Sequence, residues 1–166
     1  FSQTKKIEEK FSSYLPRSET TLIRQGALEK PSEEYSHLTK IAEQARKDTG
    51  GLFDLRYGEE PDFGGILKGY ALDRAVELLK KHEIENALFN FGGQIFAVGA
   101  SSPQTGYWEV QLDIGTNSPK KIKLKNESIS ASNLTERGMH IVAPKSGQRV
   151  PWKRLVYVID SSATKA

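Results

Sequence analysis

"DFGGILKGYALDRAVELL", residues 62–79, is the stretch from which the fold is best read. Leu72, Ala75, Val76 and Leu79 recur at the spacing of a single apolar stripe on an α-helix, and the pattern predicts a helix from Gly65 to about His82. That helix opens on two glycines and carries Lys68 one turn before Leu72, at the head of the stripe. A cation there faces the core and sits at the positive end of the helix dipole, so a negative partner is expected nearby. Two readings stand. Glycine-lined backbone N–H groups with a lysine in the first turn suit a phosphate or pyrophosphate. Alternatively, Gly64 and Gly65 form a tight turn while Lys68 snorkels or pairs with Asp62 or Asp73. Neither GxxxxGK[ST] nor GxGxxG is present.

Upstream, a helix is expected over about Thr4 to Leu15, with Ile7, Phe11 and Tyr14 or Leu15 on one face, stopped by "PRSETT". Another fits Ser32 to Lys47, with Ser32 as N-cap, Tyr35, Leu38, Ala42 and Ala45 as its stripe, and "DTGG" as its end. "LFDLRYGEEP" then reads as strand and turn. Downstream of the 65–82 helix the pattern changes to strands. "NALFNF" and "QIFAVG" flank Gly92-Gly93, a bulge or a place where backbone meets ligand. "GYWEVQLDI" and "KKIKLKNESIS" alternate, and "HIVAP" and "RLVYVID" follow across the turn "PKSGQ". Helices early and strands late predict an α+β fold, three main helices packed on a largely antiparallel or mixed sheet, in one domain over 1–166.

Composition narrows the chemistry. The chain has no cysteine, which excludes disulfides, thiolate metal sites and cysteine nucleophiles. His37, His82 and His140 form no metal-spacing motif. The apolar runs "IFAV" and "LVYVI" are too short to span a bilayer. The first residues already follow a helical pattern, so removal of an upstream segment is an expectation. Lysines 120, 121, 123 and 125 form a basic strand without the aromatic motifs of nucleic-acid binders, and a solvated strand face explains them better.

The residues around the opening stretch carry a resemblance. "DFGGILKGYALDRAVELL" followed by "IENALFNFGGQI" resembles the signature of the ApbE family, the FAD:protein FMN transferases. "SSYLPRSET", "TGGLFD", "ISASN", "HIVAPKSGQ" and "VIDSSATKA" resemble further family segments in the same order. The resemblance implies a Mg²⁺-dependent enzyme that moves the FMN half of FAD onto a threonine or serine hydroxyl of an acceptor flavoprotein and releases AMP. The alternatives are a reduced, non-catalytic flavin-binding module and a pyrophosphatase giving FMN and AMP. Carried over, Gly64, Gly65, Lys68, Gly69 and Tyr70 approach the flavin nucleotide, with Lys68 at its phosphates and Asp73 as a partner one turn on. Phe53 and Asp54 line the nucleotide pocket, and Ser130, Ser132, His140 and Ile141 close its other side. His140 is the candidate base, with a plain strand histidine as the alternative, and the backbone carbonyl of Leu67 faces the metal.

The sequence also departs from the family pattern. Leu67 replaces a small residue, Gln94 and Ala143 replace aspartates, Asn133 replaces a glycine and Ser146 a threonine. "RYGEEP" is a short connection, and the family's N-terminal strand and C-terminal aspartate-bearing metal motif have no match, so a shortened member is expected. Asp54 and Asp160 are candidate substitutes for the metal aspartate. A family association with the bacterial envelope implies a periplasmic location, with membrane attachment only through a removed lipoprotein anchor. Apolar surface left by missing elements implies a homo-oligomer or a partner.

Overall fold

Ser32 begins the longest helix as its sequence predicts. Its Oγ accepts from the backbone N–H of Tyr35 at 3.2 Å, while its own N–H and Oγ donate to the carboxylate of Glu19. In the computed structural model, which describes residues 2–56, 61–113, 119–132, 141–150 and 155–166, this helix is the third of four: α1 (Ser2–Phe11), α2 (Glu19–Arg24), α3 (Glu33–Asp48) and α4 (Leu67–Lys81). A single 3₁₀ turn, Phe63–Gly65, precedes α4. Six strands follow: β1 (Ala87–Phe91), β2 (Gln94–Val98), β3 (Trp108–Leu112), β4 (Lys120–Leu124), β5 (Glu127–Ser132) and β6 (Val156–Asp160). The class is α+β, with every strand pairing antiparallel. Replacing Ser32 by Ala should cost about 1 kcal/mol, the usual loss for an N-cap, read as a lower urea midpoint with an unchanged slope.

The chain divides into two units, 1–67 with 139–152 and 68–138 with 153–166. In the first, the core is aromatic. Phe11, Tyr35 and Phe63 pack with ring centroids 5.1–5.7 Å apart, and Ile7, Leu38, Ala42 and Leu55 are also buried. Helix α1 ends at Phe11, not near Leu15, because Thr20 Oγ1 donates to the Phe11 carbonyl and Ser12 Oγ captures the N–H of Tyr14. Tyr14 is consequently 91% exposed, outside the expected stripe. "PRSETT" does more than stop a helix: Ser18 caps α2 by accepting from Thr21 N–H. The expected strand in "LFDLRYGEEP" is absent from its described part, residues 52–56 and 61, where 52–56 form turns and bends. "HIVAP" contributes one bridge, Val142 to Arg149, around a turn closed by Gly147 at φ +65°.

The second unit is layered. Its four-stranded sheet has the order β1-β2-β5-β6, and β3 with β4 forms a separate two-stranded ribbon. Helix α4 covers one face, where Leu72 and Val76 pack with Phe96, Val98, Phe89 and Phe91. The ribbon covers the other, where Val110, Leu112 and Leu124 pack with Ala97 and Ile129. Strand β2 is thus buried on both faces, which explains why "IFAV" runs apolar without alternating. "KKIKLKNESIS" reads as one alternating strand but serves two sheets. It breaks at Asn126, whose φ of +56° ends β4 and starts β5. The lysines of β4 are engaged locally: Lys120 with the Tyr157 hydroxyl, Lys121 with Glu109, and Lys123 over the Tyr107 ring.

Candidate functional site

The glycines that open the signature stretch belong to a capped turn. Asp62 Oδ1 accepts from Gly64 N–H at 2.8 Å, closing the 3₁₀ turn, and the Ile66 N–H donates to the Phe63 carbonyl. Helix α4 therefore starts at Leu67, two residues later than the pattern predicts. Gly65 is small for a reason found in the same unit: a Cβ there would lie 3.2 Å from Phe53 Cε2. Two of the predicted site residues, Phe53 and Gly65, are thereby brought together. Of the two readings of this start, the tight turn is present, and Asp62 spends its carboxylate on the turn's own N–H.

A polar depression of about 350 Å³ also lies in the first unit. It is lined by Arg46, Lys47, Gly50, Gly51, Asp54, Pro144 and Lys145. It joins "TGGLFD" to "HIVAPKSGQ", segments nearly a hundred positions apart in the chain. Three cations there face one carboxylate, and that carboxylate is already committed. Asp54 accepts from the Arg56 N–H at 2.8 Å and from Arg46 Nε at 3.0 Å. First the Arg56 N–H, then the Arg46 side chain, hold its pKa below the usual carboxylate range. A lowered folded pKa contributes stability above the unfolded value, and that contribution is lost as pH falls through the lowered one. The glycines at φ +61° and +81° let the chain turn back at the end of α3, with Gly51 N–H donating to the Arg46 carbonyl.

In the second unit, Lys68 is exposed and its Nζ donates to the Gly92 carbonyl at 3.4 Å, in the Gly92-Gly93 turn between β1 and β2. Gly69 is buried, and a Cβ there would fall 2.0 Å from the Ala163 carbonyl oxygen. Tyr70 is buried beneath the guanidinium of Arg74, 5.0 Å from its ring centroid. Asp73 pairs with the turn after β6, accepting from Ser162 Oγ and from the N–H groups of Ala163 and Thr164. Ser130 and Ser132 lie opposite Val158 and Val156, on the face of β5 that carries Ser128 and away from the Ile129 core. Ile141 lies in the first unit, where its carbonyl accepts from Val150 N–H. His140 and Asn133 lie outside the described residues.

Gln94 was noted in the sequence only as a departure from an aspartate, and the structure gives it a role. It is buried, and its Nε2 donates to the Ala163 carbonyl at 2.6 Å, a bond that an ionised aspartate could not make. An inward polar residue at the start of an otherwise apolar strand was the available signal.

The carboxylates do not converge on a metal. Asp54 is held by Arg46, Asp62 by Gly64 and Asp73 by the 162–164 turn, and Asp160 accepts from Ser162 N–H. Among the described residues no group of three or more His, Cys, Asp or Glu side chains could hold a metal ion. Neither proposed substitute, Asp54 or Asp160, sits in such a group, so the described residues do not fit a magnesium site by themselves.

A Gly-Gly turn thus leads into a lysine-bearing helix on an α+β scaffold with an antiparallel sheet. The ApbE family profile matches residues 58–166, and the chain belongs to that family. It is 30% identical over 112 residues to the FAD:protein FMN transferase of Klebsiella pneumoniae, covering 60% of this chain and 33% of that protein. It is 28% identical over 109 residues to the FAD:protein FMN transferase of Treponema pallidum, covering 54% and 30%. The matched part thus spans about a third of these relatives. Among solved structures, the flavinyl transferase ApbE of Pseudomonas stutzeri in its apo form aligns at a TM-score of 0.84 and 20% identity, over 99% of this chain and 71% of that one. The flavin transferase ApbE of Vibrio cholerae aligns at 0.84 and 17% identity, over 99% and 72%.

Proposed function

We propose that this chain binds FAD and transfers its FMN half to a threonine or serine hydroxyl of an acceptor protein, releasing AMP. The observation that carries the reading is the basic depression of the first unit. There, Arg46, Lys47 and Lys145 gather around a carboxylate already neutralised by arginine, leaving net positive charge for a polyanionic ligand. Membership of the ApbE family and the names of the two curated relatives select a flavin dinucleotide among polyanions. In the transfer, the acceptor oxygen bonds to the FMN phosphorus as the bond to the AMP oxygen breaks. Positive side chains stabilise the charge that accumulates on the phosphoryl oxygens. The family signature, and not the depression, gives Lys68 of the second unit a role at the nucleotide phosphates and His140 a role at the acceptor proton. A periplasmic location belongs to the same proposal.

Binding without transfer is the second reading, favoured by one observation: the carboxylates at the signature residues, Asp54, Asp62 and Asp73, are all engaged in structural bonds. One experiment separates the two. The purified chain is incubated with FAD and a threonine-bearing acceptor peptide, with Mg²⁺ or with EDTA, and the products are weighed. A peptide that gains the mass of FMN establishes transfer, free FMN with AMP establishes hydrolysis, and retained intact FAD establishes binding alone. Lys68→Ala should weaken FAD binding by about 1.5–3 kcal/mol, the usual worth of a hydrogen bond to a charged group. Unchanged flavin-fluorescence quenching by that variant would remove Lys68 from the site.

A further inference from the structure

Asp73 is tied to the end of the described chain by bonds that leave its carboxylate little freedom. Oδ1 accepts from Ala163 N–H at 2.7 Å. Oδ2 accepts from Thr164 N–H at 3.0 Å, Thr164 Oγ1 at 2.6 Å and Ser162 Oγ at 2.8 Å. From the side of β2, Gln94 Nε2 holds the Ala163 carbonyl at 2.6 Å, and from the end of β6, Asp160 Oδ1 accepts the Ser162 N–H at 2.8 Å. The turn is gripped by a helix, a strand start and a strand end at once.

Two routes lead from this turn to Lys68. Along the helix, Gly69 and Asp73 are one turn apart on one face, and Gly69 lacks a side chain where the Ala163 carbonyl and Thr164 Cα press on α4. Lys68 is the next residue. Along the sheet, Lys68 Nζ reaches the Gly92 carbonyl, and Gly92 leads through Gly93 directly to Gln94. The backbone and the ammonium of Lys68 are therefore both referenced to Ala163.

We infer that Asp73 and Gln94 are positioning residues for the flavin nucleotide, touching no ligand themselves but fixing the 162–164 turn as the point from which Lys68 is placed. The inference rests on the flavin-binding reading above. Asn at position 73 keeps the shape and one acceptor but turns an NH₂ toward a cluster of donors, orphaning the Thr164 N–H. Leu at position 94 keeps the volume and removes the donor to Ala163.

The test uses the whole chain and three measurements on the wild type, Asp73→Asn, Gln94→Leu and each combined with Lys68→Ala. Amide exchange at Ala163 and Thr164 reports the turn, a thermal melt reports folding, and quenching of flavin fluorescence reports the dissociation constant for FAD. Both variants should stay folded at the assay temperature and exchange faster at Thr164. Their FAD affinity should fall about 5- to 30-fold, the ratio set by one or two such bonds. In the Lys68→Ala background the second substitution should weaken binding little further, because the route to Lys68 is already cut. Faster exchange with unchanged FAD affinity overturns the inference, as does full additivity with Lys68→Ala. If Asp73→Asn does not fold, Gln94→Leu and Ser162→Ala, which removes one donor only, decide by the same criteria. Absence of FAD binding by the wild type would defeat the functional reading together with the positioning role, while protected amides at Ala163 and Thr164 would still show the turn to be pinned.

Discussion

Gly69→Ala should destabilise this protein by about 1–3 kcal/mol, although alanine is the better helix former. In an exposed helix interior the same change stabilises by about 1 kcal/mol, because glycine loses more backbone entropy on folding. Here the added methyl meets backbone: the Ala163 carbonyl oxygen at 2.0 Å, its carbon at 2.5 Å and Thr164 Cα at 2.8 Å. A flexible side chain could swing aside, but this turn is held by Asp73, Gln94 and Asp160. Either α4 shifts from the sheet, or the turn leaves and its donors and acceptors lose their partners. The melting temperature should fall, and exchange at Ala163 and Thr164 should rise. If Gly69→Ala melts at or above the wild-type temperature, the close approach of turn and helix is wrong. On the proposed flavin-binding reading FAD affinity should fall in parallel, because the displaced turn is the one inferred to place Lys68.

Phe63→Ala should cost about 3–5 kcal/mol, the usual range for emptying a buried aromatic site. Phe63 is 2% exposed and lies edge-on to both Phe11 and Tyr35, at 5.3 and 5.1 Å. Its removal takes away both edge-to-face contacts and opens a cavity beside two rings that cannot follow it. Phe63 also starts the 3₁₀ turn, and its carbonyl accepts the Ile66 N–H, so the loss should loosen the Gly64-Gly65 turn as well. Chemical denaturation measures the first effect, and exchange at Gly64 and Ile66 the second. A loss under about 1 kcal/mol would place Phe63 outside a packed core.

Much of the fold was legible in the residues, for local reasons. The stripes of α3 and α4, the Ser32 cap and the glycine end of α3 depend on neighbours a few positions apart, whereas Gly92-Gly93, read as a bulge or a ligand contact, closes the turn between β1 and β2. Where local reading failed, a distant partner had intervened. Helix α1 stops at Phe11 because Thr20 takes its carbonyl, nine positions away. The alternation of residues 120–130 was real, but its division between two sheets depends on which strands lie alongside. Alternation specifies a face and not a neighbour. The candidate site follows the same rule. Lys68, Gly69 and Asp73 could be marked from the signature, but the marking did not say what they touch.

The sequence by itself determined the α+β class, the position of α4 and membership of the ApbE family, since helical period, turn glycines and ordered motifs are all written along the chain. Only the tertiary structure decided that Gly69 is a seat for Ala163, that Gln94 is a donor and not a defective aspartate, and that Asp73 grips the 162–164 turn. These bonds join residues 69 and 90 positions apart. No local spacing encodes them, because they arise only when α4 and the sheet are packed and buried polar groups must find partners.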